Sequence, residues 1–151
     1  MNSHSDVIPL APIPLASTYD LSHTHASFED MYDNGKMDGA DRIPKICYRL
    51  GCPPNPQFRY VPASDVQPYF SLAEQYTFGD RMFQTNEGPS YPAHQFILSG
   101  TSAPSPGSAL FAAENPFSVG FSPVGCTVPA SETVGMIDPA GNETVKMYSP
   151  D

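Results

Sequence analysis

Apolar and polar positions follow different rhythms along the chain. In residues 1–18 the apolar positions are interrupted by Pro9, Pro12 and Pro14, which deny the segment a continuous helix and make it extended. Leu21, Phe28, Met31 and Tyr32 then fall at helical spacings, so a helix is expected to start from a cap at Asp20 or Ser22 and to run to about Asp33. Asn34-Gly35 stops it, since both residues tolerate a left-handed backbone. The stretch from Cys47 to Pro62 is rich in proline and reads as irregular. A second helix is expected from Ser64 or Asp65 to about Tyr76, with Tyr69, Leu72, Ala73 and Tyr76 on its apolar side and Pro68 in its first turn. Tyr76 to Phe83 is strand-like and ends in a polar turn, Gln84 to Gly88. A third helix is expected from Ser90 or Tyr91 to Leu98, with Pro92 in its first turn and Gly100 at its end. Thr101 to Pro129 reads as a long Ser-, Pro-, Gly- and Ala-rich loop. Two short strands about a turn close the chain, Val134 to Asp138 and Glu143 to Tyr148. No internal repeat is visible.

Composition narrows the class. The 151 residues include 18 Pro and 11 Gly, while Leu, Ile, Val and Phe make up about a fifth of the chain, at the border of what can bury a core. With 7 Lys plus Arg against 16 Asp plus Glu, the formal charge is −9. That balance argues against a nucleic-acid partner, whose phosphates are met by basic residues, and against docking on an anionic membrane through basic side chains. No apolar run approaches the ~20 residues of a spanning helix. The first residues lack a basic start and an unbroken apolar stretch, so they do not read as a signal peptide.

Three cysteines are too few for a four-ligand zinc site. Cys47 and Cys52, five apart, read either as a small loop disulfide or as two free thiols; the disulfide is preferred and points to an oxidising compartment. Cys126 is left over, which suggests a partner outside this chain. The most informative stretch is Gly88-Pro89-Ser90-Tyr91-Pro92-Ala93-His94, between a short strand and a helix. A hydroxyl at a helix start lies among unpaired N–H groups and the positive end of the dipole, a place that suits phosphate. Ser90 is therefore either a nucleophile awaiting a base or metal, or simply the helix cap. Of His4, His23, His25 and His94, the pair His23 and His25 would share a face only on a strand; on a helix they diverge by roughly 200°. Glu29, Asp30, Asp33, Asp38 and Asp41 crowd around Gly35 and Gly39 but fail the EF-hand register, and read as a solvated helix face and turn. Asn142-Glu143-Thr144 matches a glycosylation sequon.

Three blocks together resemble the bacterial and fungal phosphoesterase family of phospholipases C and related acid phosphatases. The first is Tyr19-Asp20-Leu21-Ser22-His23-Thr24-His25 followed by Tyr32-Asp33-Asn34-Gly35-Lys36-Met37-Asp38-Gly39. The second is Ser64 to Ala73. The third runs from Thr77 through Gly88-Pro89-Ser90-Tyr91-Pro92-Ala93-His94 to Leu98-Ser99-Gly100-Thr101. Ile137-Asp138-Pro139 also looks like the family. The resemblance implies an α/β chain, a loop-rich part of an alkaline-phosphatase-like three-layer fold, and hydrolysis of phosphate esters or phospholipids through a phospho-enzyme. It places Ser90 at the nucleophile, which in this superfamily also touches the metal, and His23 near the phosphate. His94 stands where many members carry Arg and is a candidate phosphate contact. It also implies a divalent metal ion and export from the cytoplasm.

On this reading 1–18 is a lead-in, 19–101 the motif region, 102–132 a loop and 133–151 a hairpin-like tail of one partial domain. Members carry an acidic metal-binding segment of the Glu-Asn-Arg-Ser-Phe-Asp-His type upstream and a further carboxylate group downstream, and this sequence has neither. The expectation is an internal piece that binds metal poorly and turns over little substrate alone. The alternative is a non-catalytic interaction or relic protein with the family's outline.

Overall fold

The computed structural model describes residues 1–49, 51–116 and 133–147, with backbone only for 145–147. In chain order the elements are β1 (Ala11–Pro12), β2 (Tyr19–Leu21), α1 (His25–Tyr32), β3 (Lys45–Cys47), β4 (Arg59–Tyr60), α2 (Gln67–Gln75), α3 (Ser90–Ser99), β5 (Phe111–Ala112), β6 (Thr133–Ile137) and β7 (Glu143–Met147). The chain is α/β and loop-rich. It divides into two compact units, residues 1–22 with 29–83, and residues 23–28 with 84–151.

Two short ladders organise the first unit. β1 lies parallel to β4, and β2 runs antiparallel to β3 with Tyr19 opposite Cys47 and Leu21 opposite Lys45. Ile43 and Phe58 are buried in this unit. The Tyr19 hydroxyl donates to the Pro56 carbonyl at 3.0 Å and Gln57 Nε2 to the Ile43 carbonyl at 2.9 Å, so polar groups near this small core are paired. The lead-in is tied down by Ser3, whose N–H and hydroxyl donate to the two oxygens of Asp41 at 2.8 and 2.7 Å. Those bonds, the hydroxyl's first, hold the Asp41 carboxyl below its ordinary range. Cys47 and Cys52 are joined by a disulfide.

The end of α1 follows local chemistry. Asp33, Asn34 and Gly35 take φ of +41°, +54° and +90°, turning the chain out of the helix where the Asn-Gly pair predicts. The Asp33 carboxylate gathers Arg42 Nη1 at 2.9 Å and Lys36 Nζ at 3.0 Å, and its pKa falls to about 2, chiefly through Arg42 and then Lys36. The turn that follows brings Gly39 against the helix backbone. A Cβ there would stand 1.8 Å from the Asp30 carbonyl oxygen, so only glycine fits.

The start of α1 lies later than the caps expected at Asp20 or Ser22. Leu21 is committed to the ladder with Lys45, and the Ser22 N–H extends it to the Pro44 carbonyl at 2.8 Å. Backbone pairing with a distant strand thus takes the residues that could have capped. Thr24 caps instead: its Oγ1 accepts the Ser27 N–H at 3.2 Å and its carbonyl accepts the Phe28 N–H at 3.1 Å. In α2 the helix is present but its stripe is not buried. Tyr69, Leu72 and Tyr76 are 67%, 54% and 78% exposed. The strand-like residues 76–83 form no strand, because no described segment pairs with them, and Phe78, Met82 and Phe83 are exposed.

The second unit is built on a three-stranded antiparallel sheet in the order β5-β6-β7. Phe111 and Ala112 lie opposite Ile137 and Met136, and Thr133 to Ile137 lie opposite Met147 to Glu143. β5 thus forms inside the span read as a loop. Ala112, Val134 and Met136 make its core, with Tyr91 and Leu110 packed against them. The β6–β7 turn is wound around Asp138, whose carboxylate accepts the Ala140 and Asn142 N–H groups at 2.8 and 2.9 Å and Asn142 Nδ2 at 3.0 Å. The Asn142 side-chain bond leads the causes that lower the Asp138 pKa. Cys126 and most of the loop expected over 102–132 lie outside the described residues.

Candidate functional site

Ser90 is placed by the packing of α3. Pro92 in the first turn is fully buried and Tyr91 packs against the sheet core, so the helix is anchored at its N-terminal end. Its far end closes on Gly100 at φ +73°, whose N–H reaches the Phe96 carbonyl at 3.0 Å, while Ile97 and Leu98 are exposed. Ser90 is the first helical residue and Pro89, in an extended conformation, is the N-cap. The capping role open to Ser90 from sequence is therefore not the one it takes. Its side chain is exposed at the positive end of the helix.

The anion cradle around it differs from the sequence expectation. Pro92 has no N–H, and the Tyr91 N–H is donated to Asn115 Oδ1 at 2.9 Å. Of the first three helical residues, only Ser90 is left to offer both an amide and a hydroxyl. The helix dipole remains, but phosphate affinity at this turn must come largely from side chains. His94 lies one turn beyond Ser90, on the same helix face and exposed. His23 is exposed in the segment just before α1, within the same unit. The structure thus sets Ser90 and His94 on one face and puts His23 outside any helix.

The approach to Ser90 is held by His25, which spacing weighs only as a metal-clamping partner of His23, and by Glu114, which spacing does not single out. His25, the first residue of α1, is 7% exposed, and its ring Nδ1 hydrogen-bonds the Glu87 carbonyl. Its backbone N–H donates to Glu114 Oε1 at 2.7 Å. Burial pushes the Glu114 carboxyl up from its ordinary range, partly offset by that bond. Asn86 Nδ2 donates to the Pro89 carbonyl at 3.2 Å. Gly88 is pinned: a Cβ there would meet the Ala113 carbonyl oxygen at 2.7 Å. One signal for Glu114 stood in the sequence, where it is the sole formally charged residue between Glu87 and Glu132. Beside this strap lies a cavity of about 280 Å³ lined by His25, Asn86, Phe96, Ser102, Phe111 and Ile137 among others.

Among the described residues, no three His, Cys, Asp or Glu side chains gather in a set that could hold a metal ion. The carboxylates of Asp33, Asp41 and Asp138 are occupied by protein donors. The described residues therefore do not fit the divalent ion that the family resemblance implies. No described helix is long and apolar enough to cross a membrane.

The α/β, loop-rich chain thus presents an exposed serine at a helix start, two residues after a glycine that admits no side chain. The Phosphoesterase family model matches residues 14–148, and the chain belongs to that family. No curated protein and no solved structure matches it significantly.

Proposed function

We propose that this phosphoesterase-family chain carries the nucleophile of a phosphoric ester hydrolase, and that the nucleophile is Ser90. The carrying observation is its position as the first residue of α3, exposed and not spent as a cap. The Ser90 oxygen attacks phosphorus, its proton passes to a base, and the bond from phosphorus to the alcohol oxygen breaks as the alcohol leaves with a proton. Water then attacks the phosphoserine and releases phosphate from a monoester, or the phosphorylated head group from a phospholipid, restoring Ser90. His23 serves as the histidine beside the phosphate and His94 as a second contact on the Ser90 face. Substrates are phosphomonoesters or phospholipid head groups, and the Cys47–Cys52 disulfide supports residence outside the cytoplasm.

The test is hydrolysis of p-nitrophenyl phosphate and of phosphatidylcholine with added divalent ions, with acid quenching to trap a phosphorylated peptide. Ser90→Ala should abolish both turnover and the trapped peptide. Turnover that survives the substitution, or a phosphoryl group trapped elsewhere, sinks the assignment. A second reading, a non-catalytic interaction protein, is favoured by the exposed apolar side chains between Tyr69 and Phe83. It predicts no turnover under any of these conditions.

A further inference from the structure

We propose that His25 is a positioning residue, whose imidazole holds the segment 84–89 in the one conformation that delivers Ser90. The proposal rests on the reading of Ser90 as nucleophile and adds to it the group that sets its place.

Gln84 to Pro89 contain no helix or strand, so no ladder fixes them. Such a segment is ordered only by individual bonds, which work against its backbone entropy. The Glu87 carbonyl, three residues before Ser90, is bonded by His25 Nδ1. A carbonyl oxygen only accepts, so Nδ1 carries the hydrogen, which defines what the ring must supply. The bond spans 62 positions in sequence and comes from a ring that is almost wholly buried.

His25 is itself held firmly. It follows the Thr24 cap, and its N–H is donated to Glu114. The segment also runs close under it: a Cβ on Gly88 would be 3.7 Å from the His25 Cβ and 2.7 Å from the Ala113 oxygen. Downstream, Asn86 holds the Pro89 carbonyl and Asn115 the Tyr91 N–H, so the chain is pinned on both sides of Ser90. Displacing a reacting group by about 1 Å can cost on the order of a hundredfold in rate. His25 reaches Ser90 only through this segment, and its effect is therefore one of placement.

Asparagine and glutamine separate this role from bulk. The Asn Nδ2 hydrogens lie close to where imidazole Nδ1–H stands, whereas Gln places its donor further out, near Nε2. Backbone hydrogen exchange of residues 84–91 is measured in the wild type, His25→Ala, His25→Gln and His25→Asn, with the β2–β3 ladder as internal reference. Expected is exchange about tenfold faster at 84–91 in the Ala and Gln variants, within about threefold of wild type in Asn, and unchanged in the ladder. If the Ala variant does not fold, the Asn–Gln pair alone decides. Exchange unchanged in Ala or Gln, or Asn behaving like Gln, overturns the proposal. In turnover of p-nitrophenyl phosphate, His25→Gln should lower kcat about a hundredfold with KM within threefold, and His25→Asn should restore most of it; a Gln variant with wild-type kcat also overturns it. Absence of any Ser90-dependent turnover would remove the nucleophile reading, and exchange would still decide whether His25 holds the segment.

Discussion

Replacing Gly39 by alanine tests the tightest contact in the first unit. The added Cβ would stand 1.8 Å from the Asp30 carbonyl oxygen and 3.3 Å from the Met31 Cα. A carbon and a carbonyl oxygen settle at about 3.3 Å or more, so helix and turn must separate by about 1.5 Å. Both obstacles are backbone, and no rotamer change can absorb the overlap. Overpacking of this kind costs about 3 kcal/mol, at the upper end of what such insertions do. A control at Gly107, where φ is +79° and nothing lies within 4 Å, carries left-handed strain of about 1 kcal/mol and no overlap, so it scales the loss of a glycine without a clash. In thermal melts followed by circular dichroism, Gly39→Ala should lower Tm by about 10 °C or more, well beyond the control. A Gly39→Ala protein that melts with the control would mean that the turn does not press on α1 as described, and the steric account would fail.

Two further outcomes concern pH. Glu114 has its carboxyl pKa raised on folding, so its share of stability is complete below the ordinary value of 4.5 and is lost as pH rises through the raised one. Glu114→Gln should therefore match the wild type in acid and exceed it at neutral pH, while Glu114→Ala loses about 1 kcal/mol with the bond to the His25 N–H; urea melts at several pH values check this, and a Gln variant that weakens as pH rises contradicts it. Asp33 has the opposite sign: its pKa is depressed to about 2, so its stabilising pairs with Arg42 and Lys36 are present above 3.8 and are lost as pH falls toward 2. Asp33→Asn should be less stable than the wild type at neutral pH and approach it in acid; a gap undiminished at pH 2 would rule out charge as the cause.

What could be read from the sequence was what is decided locally. Pro92 and Gly100 bracket α3 because ring geometry and a left-handed backbone need no distant partner. Asn34-Gly35 ended α1 for the same reason. The start of α1 was misplaced because β2 competes for the same residues, and its partner lies more than twenty positions away. The place of Ser90 at the start of a helix was legible for the same local reason, while the short strand expected before it was not formed. His25 and Glu114 were not legible, since 89 positions separate them and neither spacing nor type announces the bond. The stripe on α2 shows the limit of periodicity, which defines a helical face but not whether anything covers it.

The Cys47–Cys52 bridge closes one of the shortest rings a chain can make, within a single turn at the end of β3. Chain entropy scales such a ring to about 2 kcal/mol, well below what a crosslink between remote segments contributes. Both cysteines lie in the unit made of residues 1–22 and 29–83. Reduction of the bridge would release little more than the turn after β3, so it records the redox history of the chain at small cost to its stability.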